Sequence, residues 1–363
     1  MNVIRINKKN ILHNFYYLQS LQENANLFPV LKSNAYGHGL KEISKIMNKT
    51  NAEYIIVDSY PEYLIVKKWT KKQILLLGET LPENYKNFDF KKVTFCVYNV
   101  ETIKYFIKIN KKIRIHVFLN TGMNREGIDE NNLINFLEEL KLAKKIQVTG
   151  VMSHLHSGDK IENNGIEKQI EIFKRMYYEI INYGHTPTRR HIGNTAGIIK
   201  INNDFFNAYR PGIGLYGYNC LDTKDKDFKI LMKLKPALSI SSRIIGLHEI
   251  NFGEGISYNM ERKANTKEKI AVIPFGYAEG LGRNLSGKIF FKFNKQYFKQ
   301  VGAICMNICN CEINNEAKIY DEIEIVSMEP ESKNSIKNLA EQSGTIVHEI
   351  LVKLEKSIRR EII

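Results

Sequence analysis

The sequence predicts an α/β fold: an N-terminal (β/α)8 barrel over residues 1–230, followed by a mostly β domain over residues 231–363. Two patterns and the chain length carry that reading. Short β-rich runs alternate with segments of helical periodicity through the first two-thirds of the chain. After Tyr218 the helical segments give way to short Val-, Ile-, Phe- and Thr-containing runs broken by Gly, Asn and charged pairs. A length of 363 residues suffices for a barrel with an added module.

The expected barrel strands are Leu27–Lys32, Glu53–Asp58, Gln73–Gly78, Val93–Val97, Ile113–Leu119, Ile146–Ser153, Arg189–Ile192 and Ala208–Tyr216. Between them Asn99–Ile109, Glu130–Lys144 and Gly165–Tyr183 carry apolar residues at helical spacing. A Lys- and Asp-rich stretch, Leu221–Lys235, reads as the linker. The second domain is expected to contain strands at Ala237–Leu247, Lys269–Pro274, Lys288–Phe293, Gln300–Cys311 and Glu322–Val326, with a helix at Ser335–Gln342. The last stretch, Thr345–Ile363, fits either a helix or a strand packing back on the domain.

Composition narrows the function. There are 53 Lys and Arg against 39 Asp and Glu, but the lysines are scattered along the whole chain. No long basic tract or aromatic–basic interleaving points to nucleic acid, so the charge reads as a solvated basic surface. No run of apolar residues is long enough for a membrane helix, and the start, Met1 to Lys9, lacks a signal-peptide apolar stretch, so a cytoplasmic location is expected. Of the five cysteines, Cys305, Cys309 and Cys311 share strand parity, yet Cys-x3-Cys-x-Cys does not match zinc spacings; no metal is expected.

The most informative segment runs from Phe28 to Gly39, FPVLKSNAYGHG. A short apolar run ends in Lys32, and a polar, glycine-containing turn follows. A lysine at the mouth of a buried strand is poorly hydrated, which favours its neutral, nucleophilic form. Such an amine suits a Schiff base with an aldehyde such as pyridoxal 5′-phosphate (PLP). In a parallel barrel, reactive residues gather at the C-terminal ends of the strands. Arg125, His154, His191, Asn194, Thr195 and Arg210 all fall at such ends. The loops after the last two strands are a recurrent phosphate site, where Thr195 offers a hydroxyl and Gly212 and Ile213 offer backbone N–H groups.

The FPVLKSNAYGHG segment resembles the PLP-lysine segment of alanine racemases, and the strand-end motifs resemble that family through nearly the whole barrel. GEGISY (253–258), PFGYAEG (274–280) and VGAICMN (301–307) resemble its C-terminal domain. The resemblance implies a homodimer with shared active sites and a small amino-acid substrate. It implies that Lys32 holds PLP and serves as the base on the D face, and that Tyr258 of the partner subunit is the base on the L face. A two-base arrangement suits racemisation, which removes the α-proton from one face and returns it to the other. The resemblance further implies that Arg210 faces the pyridine nitrogen with His191 behind it. Arg125 would contact the cofactor's phenolic oxygen or the substrate carboxylate, and the Met306 N–H, from the partner subunit, would bind that carboxylate. Tyr36, Thr195, Gly212 and Ile213 would hold the phosphate, while Asn194 shapes that loop. His154 and Arg210 would supply the hydrogen bonds or charge that a phenol needs to act as a base near neutrality.

The chain departs from the family at three places. Phe118 stands where many members have a carbamylated lysine that orients the arginine matching Arg125. Asn307 replaces an aspartate. No tyrosine follows Tyr320, although the family places one near the C-terminus against the phosphate. Racemisation of L- and D-alanine for peptidoglycan is the activity these motifs imply. A racemase of serine or of a broad range of amino acids, and a non-catalytic PLP-binding barrel, are the alternatives.

Overall fold

Runs such as Tyr54-Ile55-Ile56-Val57 are apolar at every position, and every residue is buried. A strand of that kind must be covered on both faces, as in a parallel sheet flanked by helices. The computed structural model describes residues 1–161, 165–260 and 262–363. It divides into two compact units: Ile11–Ala35 with Ile43–Leu234, and Met1–Asn10 with Tyr36–Glu42 and Lys235–Ile363.

The first unit is the barrel. With β1 assigned to Val3–Ile6 in the other unit, its strands are β2 (Asn26–Leu27), β3 (Tyr54–Val57), β4 (Gln73–Leu76), β5 (Val93–Val97), β6 (Ile113–Phe118), β7 (Ile146–Met152), β8 (Arg189–His191) and β9 (Ala208–Tyr209). Strands β3 to β8 form one parallel sheet in chain order. Strand β2 pairs in parallel with β9. Beyond β2 the chain reaches β3 through Leu31 N–H to Ile56 O (2.7 Å) and Ile56 N–H to Pro29 O (2.8 Å). Beside β9, Arg210 N–H donates to Gly193 O (2.9 Å), which closes the ring. Helices Val100–Ile109, Glu130–Leu142 and Gly165–Asn182 lie close to their expected bounds. Gly165–Asn182 buries Ile166, Ile170, Phe173, Tyr177 and Ile180, one face at helical spacing.

The two ends of the expected barrel pattern are shorter than predicted. Leu27–Lys32 is not a continuous strand, because Pro29 lacks the N–H a ladder needs. Ala208–Tyr216 is strand only at its first two residues; Pro211-Gly212 ends it, and a 3₁₀ turn covers Ile213–Tyr216. The charged stretch expected as a linker is not a loose tether. Lys200, almost fully buried, donates to Asp225 (2.6 Å) and Asp227 (2.7 Å), and a short helix follows at Phe228–Leu231.

The second unit is built on a nine-stranded sheet. Its strands are β10 (Leu238–Arg243), β11 (Gly246–Ile250), β14 (Glu268–Ile273), β15 (Phe290–Phe293), β16 (Gln296–Val301), β17 (Cys309–Glu312), β18 (Glu322–Val326) and β19 (Arg359–Ile362), joined by β1. A small separate pair, β12 (Gly255–Ile256) and β13 (Arg262–Lys263), precedes β14. The N-terminal strand was not expected from sequence; it belongs here because β1 pairs with β10 on one side and with β19 on the other. The division therefore does not fall at one point near residue 230. The expected strand Gln300–Cys311 is in fact part of a hairpin: Gln300 pairs with Cys311, and residues 302–308 form its turn. Cys309 and Cys311 do share a buried face, while Cys305 sits in the turn and does not. Helix Ile336–Ser343 is capped by Ser335, whose hydroxyl accepts from Asn338 N–H. The last stretch contains both options, helix Val347–Val352 and then β19.

Within this unit Gly37 lies hard against helix Val347–Val352. Its φ is +78°, and an added Cβ would fall 2.1 Å from Leu351 O. Gly37→Ala is expected to lower stability by roughly 2 kcal/mol or more, read as a fall in the urea unfolding midpoint.

Candidate active site

Lys32 lies where the chain leaves the barrel sheet and enters a turn of left-handed backbone. Ser33, Asn34, Ala35 and Tyr36 all have φ between 50° and 55°. Each such non-glycine residue costs about 1–2 kcal/mol, so the turn needs external support. Glu62 provides part of it: its carboxylate accepts from Ser33 N–H (2.6 Å) and from Asp58 N–H (2.9 Å). Asp58 in turn lies 3.6 Å from Lys32 Nζ. The amine is not the dehydrated group that a strand-end lysine suggests; its side chain is 37% exposed, because the sheet ends before Lys32.

Arg210 is the most constrained side chain of the barrel mouth. It is 3% exposed. Its Nη1 donates to His191 Nδ1 (2.6 Å) and His191 O (3.1 Å). Its Nη2 donates to Ser153 O (2.5 Å), Ile192 O (3.1 Å) and His154 Nδ1 (3.2 Å). Burial pushes its pKa down to about 10, which leaves it charged at neutral pH.

An arginine only donates, so these bonds fix the tautomers around it. His191 must accept at Nδ1 and therefore carries its proton on Nε2. That proton is given to His116 Nδ1 across 2.8 Å. His116 then carries its own proton on Nε2, which finds no partner among the described residues. The ring occupies the space that a side chain at Gly150 would fill, with His116 Nε2 2.6 Å from an added Cβ. Burial first, and the Arg210 charge second, push His116 and His154 each down to about 3 and His191 well below the usual histidine value. All three imidazoles are neutral. His154 consequently carries no positive charge and has its Nε2 proton left to donate.

The phosphate-loop candidates come together, with roles partly exchanged. Thr195 Oγ1 accepts from Gly212 N–H and Gly214 N–H, both at 3.2 Å. The hydroxyl proton is left to point elsewhere, and Ile213 lies between those two donors. Asn194 caps helix Thr195–Lys200 through Gly197 N–H (3.1 Å). Arg125 is half-exposed and pairs with its neighbour Glu126 (3.1 Å).

In the other unit, Tyr258 and Met306 stand on loops that are fastened together. Ser257 Oγ donates to Ala303 O (3.0 Å), and Cys305 O and Met306 O accept from Tyr277 N–H (3.1 Å) and Ala278 N–H (2.9 Å). Both side chains face outward, Tyr258 68% and Met306 58% exposed. Tyr36 packs its ring on His348.

The family profile described as "Alanine racemase, N-terminal domain" matches residues 6–220, and "Alanine racemase, C-terminal domain" matches residues 237–362. The chain belongs to the alanine racemase family. An alanine racemase of Francisella philomiragia is 29% identical over 100% of this chain and 100% of that protein. The crystal structure of an alanine racemase from Bacillus anthracis with bound L-Ala-P superposes with a TM-score of 0.91 at 27% identity, covering 100% of this chain and 95% of that one. One from Bartonella henselae, with covalently bound pyridoxal phosphate, gives 0.85 at 23% identity, covering 100% and 99%.

Two departures from the family pattern acquire local reasons. Phe118 is buried edge-on against Tyr98 (5.8 Å between ring centroids), so no charge is seated there, and Arg125 finds its carboxylate in Glu126 instead. Asn307 Nδ2 donates to Glu279 Oε1 (2.9 Å), whose other oxygen accepts from Gly276 N–H (2.7 Å). An aspartate at 307 would place two carboxylates in contact; the amide removes that repulsion.

Sequence reasoning missed His116. The available signal is faint: a histidine inside an apolar strand, two residues before Phe118 and on the same face. Its neutrality has a consequence for stability. The unfolded imidazole takes up a proton near about pH 6.5, the folded one only near about 3. Acidification below about pH 6.5 therefore favours the unfolded chain, by up to about 1.4 kcal/mol per pH unit for each such histidine. Urea midpoints from about pH 6.5 to 5 should fall less steeply in His116→Asn than in the parent. Parallel slopes would show that His116 is not the group responsible.

Proposed function

We propose that this chain interconverts L- and D-alanine with PLP as its cofactor, supplying D-alanine for peptidoglycan in the cytoplasm, and that it works as a homodimer with shared sites. The observation that carries this reading is the buried Arg210 guanidinium, held through its two Nη groups among three neutral imidazoles. The donors at the barrel mouth are an amine, a guanidinium and the Thr195 hydroxyl, whose own acceptor lobe is taken by Gly212 and Gly214 N–H, a set that fits an anionic aldehyde cofactor. PLP, when bound, supplies the electron sink that acidifies the α-proton.

Lys32 would hold the cofactor and move the proton on the D face. Asp58, 3.6 Å from its amine, orients that group. Arg210 would donate a hydrogen bond to the pyridine nitrogen without surrendering its proton, since a guanidinium stays charged there. The electron sink is thereby kept weak, which disfavours reprotonation at the wrong carbon. His191 holds Arg210 from behind. His154, protonated on Nε2, would donate to the phenol that acts on the opposite face. That phenol would be Tyr258 of the partner protomer, with the Met306 N–H and Arg125 binding the substrate carboxylate. Tyr36, Thr195, Gly212 and Ile213 would hold the phosphate on the loop that Asn194 shapes. Support for the shared site lies in the outward-facing Tyr258, Met260, Met306 and Ile308, apolar side chains on adjoining loops.

Purified protein is expected to be yellow and to racemise alanine faster than serine when product enantiomers are resolved by chiral chromatography. Lys32→Ala should lose the cofactor band that borohydride otherwise fixes to the chain. Tyr258→Phe should slow α-proton abstraction from L-alanine by roughly 100-fold or more and from D-alanine far less. Mixed with Lys32→Ala, it should regain activity, because one hybrid site then holds both intact bases. Equal losses on the two enantiomers, or no recovery on mixing, would overturn the two-base, two-subunit assignment.

A further inference from the structure

The barrel end opposite the proposed site carries a charge pattern that the reaction does not use. Parallel barrel strands all enter from one rim. Four neighbouring strands each begin directly after two adjacent lysines: Lys71-Lys72 before β4, Lys91-Lys92 before β5, Lys111-Lys112 before β6 and Lys144-Lys145 before β7. Strand β8 opens on Arg189-Arg190. The lysine pairs stand 20 to 33 residues apart in sequence. The sheet sets their strands side by side, roughly 5 Å apart.

One member of three pairs serves the fold. Lys72 Nζ donates to Thr50 O (2.5 Å), Lys92 Nζ to Thr70 O (3.1 Å) and Lys145 Nζ to Asn110 O (3.1 Å). Thr70 and Asn110 end helices, where cations are favoured. Lys71, Lys91, Lys111, Lys112 and Lys144 are exposed and form no ion pair with a carboxylate among the described residues. Two clefts open between the strand entries, of about 770 and 650 Å³, and they share Lys112 and Gln147. The acid that lines the larger one, Asp89, accepts from the Lys91 backbone N–H (3.0 Å). Two apolar side chains stand out beside the lysines: Leu142 (65% exposed) and Trp69 (37%). Each is the last residue of its helix and precedes a lysine pair by two residues.

We infer that this rim docks on an anionic phospholipid surface, the lysines meeting headgroup phosphates and Leu142 and Trp69 lying at headgroup level. Clustered lysines beside exposed apolar side chains suit such a surface. No helix among the described residues is long and apolar enough to cross a membrane, so the contact is peripheral. A nucleic acid is the poorer fit, since its backbone and bases call for arginine forks and open aromatic faces. The rim's arginines are engaged inside the chain: Arg114 with Gln73 Oε1 and Lys91 O (both 2.7 Å), Arg189 with Glu53 (2.7 Å), and Arg190 over the Phe205 ring.

The test is co-sedimentation of the purified protein with vesicles of phosphatidylcholine alone or mixed with an equal part of phosphatidylglycerol. The parent should bind the mixed vesicles, lose them as salt rises, and ignore the neutral ones. Each lysine near such a surface is worth about fivefold in affinity. A triple variant, Lys91→Gln with Lys111→Gln and Lys144→Gln, should therefore bind about 100-fold more weakly, with its urea midpoint unchanged. Lys168→Gln with Lys337→Gln and Lys356→Gln removes the same charge elsewhere and should cost far less. Leu142→Gln should weaken binding by about tenfold and keep the salt dependence. Equal binding to both vesicle types, or equal losses in the two triple variants, would overturn the proposal. So would rim-dependent binding to RNA without rim-dependent binding to vesicles, which makes the rim a nucleic-acid surface.

Discussion

The buried guanidinium of Arg210 is the interaction on which the barrel mouth depends. A cation that is 3% exposed survives only if its donors are met. Three backbone carbonyls and two imidazoles meet those of its two Nη groups. The carbonyls come from the ends of β7 and β8, so the guanidinium also fastens those strand ends to the segment after β9. The histidines can be neighbours of that charge only as neutral acceptors, and burial keeps them so. Charge, tautomer and strand closure are thus one constraint. A second cation in the web would be repelled, and a carboxylate would turn Arg210 away from a ligand. Neutral acceptors hold it while leaving its charge unspent.

The Lys32 turn shows the opposite economy. Four successive non-glycine residues in left-handed backbone are unfavourable, and the surrounding structure has to impose them. Glu62 reaches two of the relevant backbone positions, and Ala35 N–H returns to Leu31 O (2.7 Å). The result places the lysine amine past the sheet edge beside Asp58, accessible to a ligand. A continuous strand through Pro29 would have pointed successive side chains to alternate faces and could not have put Lys32 and Tyr36 on one short turn.

Much of this is readable in the sequence where the cause is local. Apolar runs of four residues locate the barrel strands, and helical spacing locates Gly165–Asn182 almost to the residue. Arg210, His191 and Thr195 are readable because barrel chemistry collects at strand ends. The misses share a non-local cause. β1 is a short alternation that becomes a strand only because residues 238–243 and 359–362 flank it. The Gln300–Cys311 run reads as continuous since nothing short-range announces that Gly302, at φ +68°, reverses the chain. The left-handed conformation of Ser33–Tyr36 contains no glycine to signal it. His116 looks like packing until Arg210, ninety-four residues later, defines what it must accept.

The loop that carries Tyr258 is built with the same kind of enforced strain as the Lys32 turn. Ser257, Asn259 and Met260 all have positive φ, at 65°, 61° and 48°. Ser257 is held by its bond to Ala303 O, and Gly302 is the only residue type that fits against it, since an added Cβ would lie 2.8 Å from Ser257 Cβ. A loop so constrained does not present its tyrosine by default. Leaving a large aromatic side chain exposed forgoes about 1.5–3 kcal/mol of burial. Strained backbone together with unburied aromatic area is two costs at one place, and neither stabilises the unit that bears them. They are accounted for together if the tyrosine is aimed at a surface outside its own chain, which is the geometry the proposed two-subunit site requires.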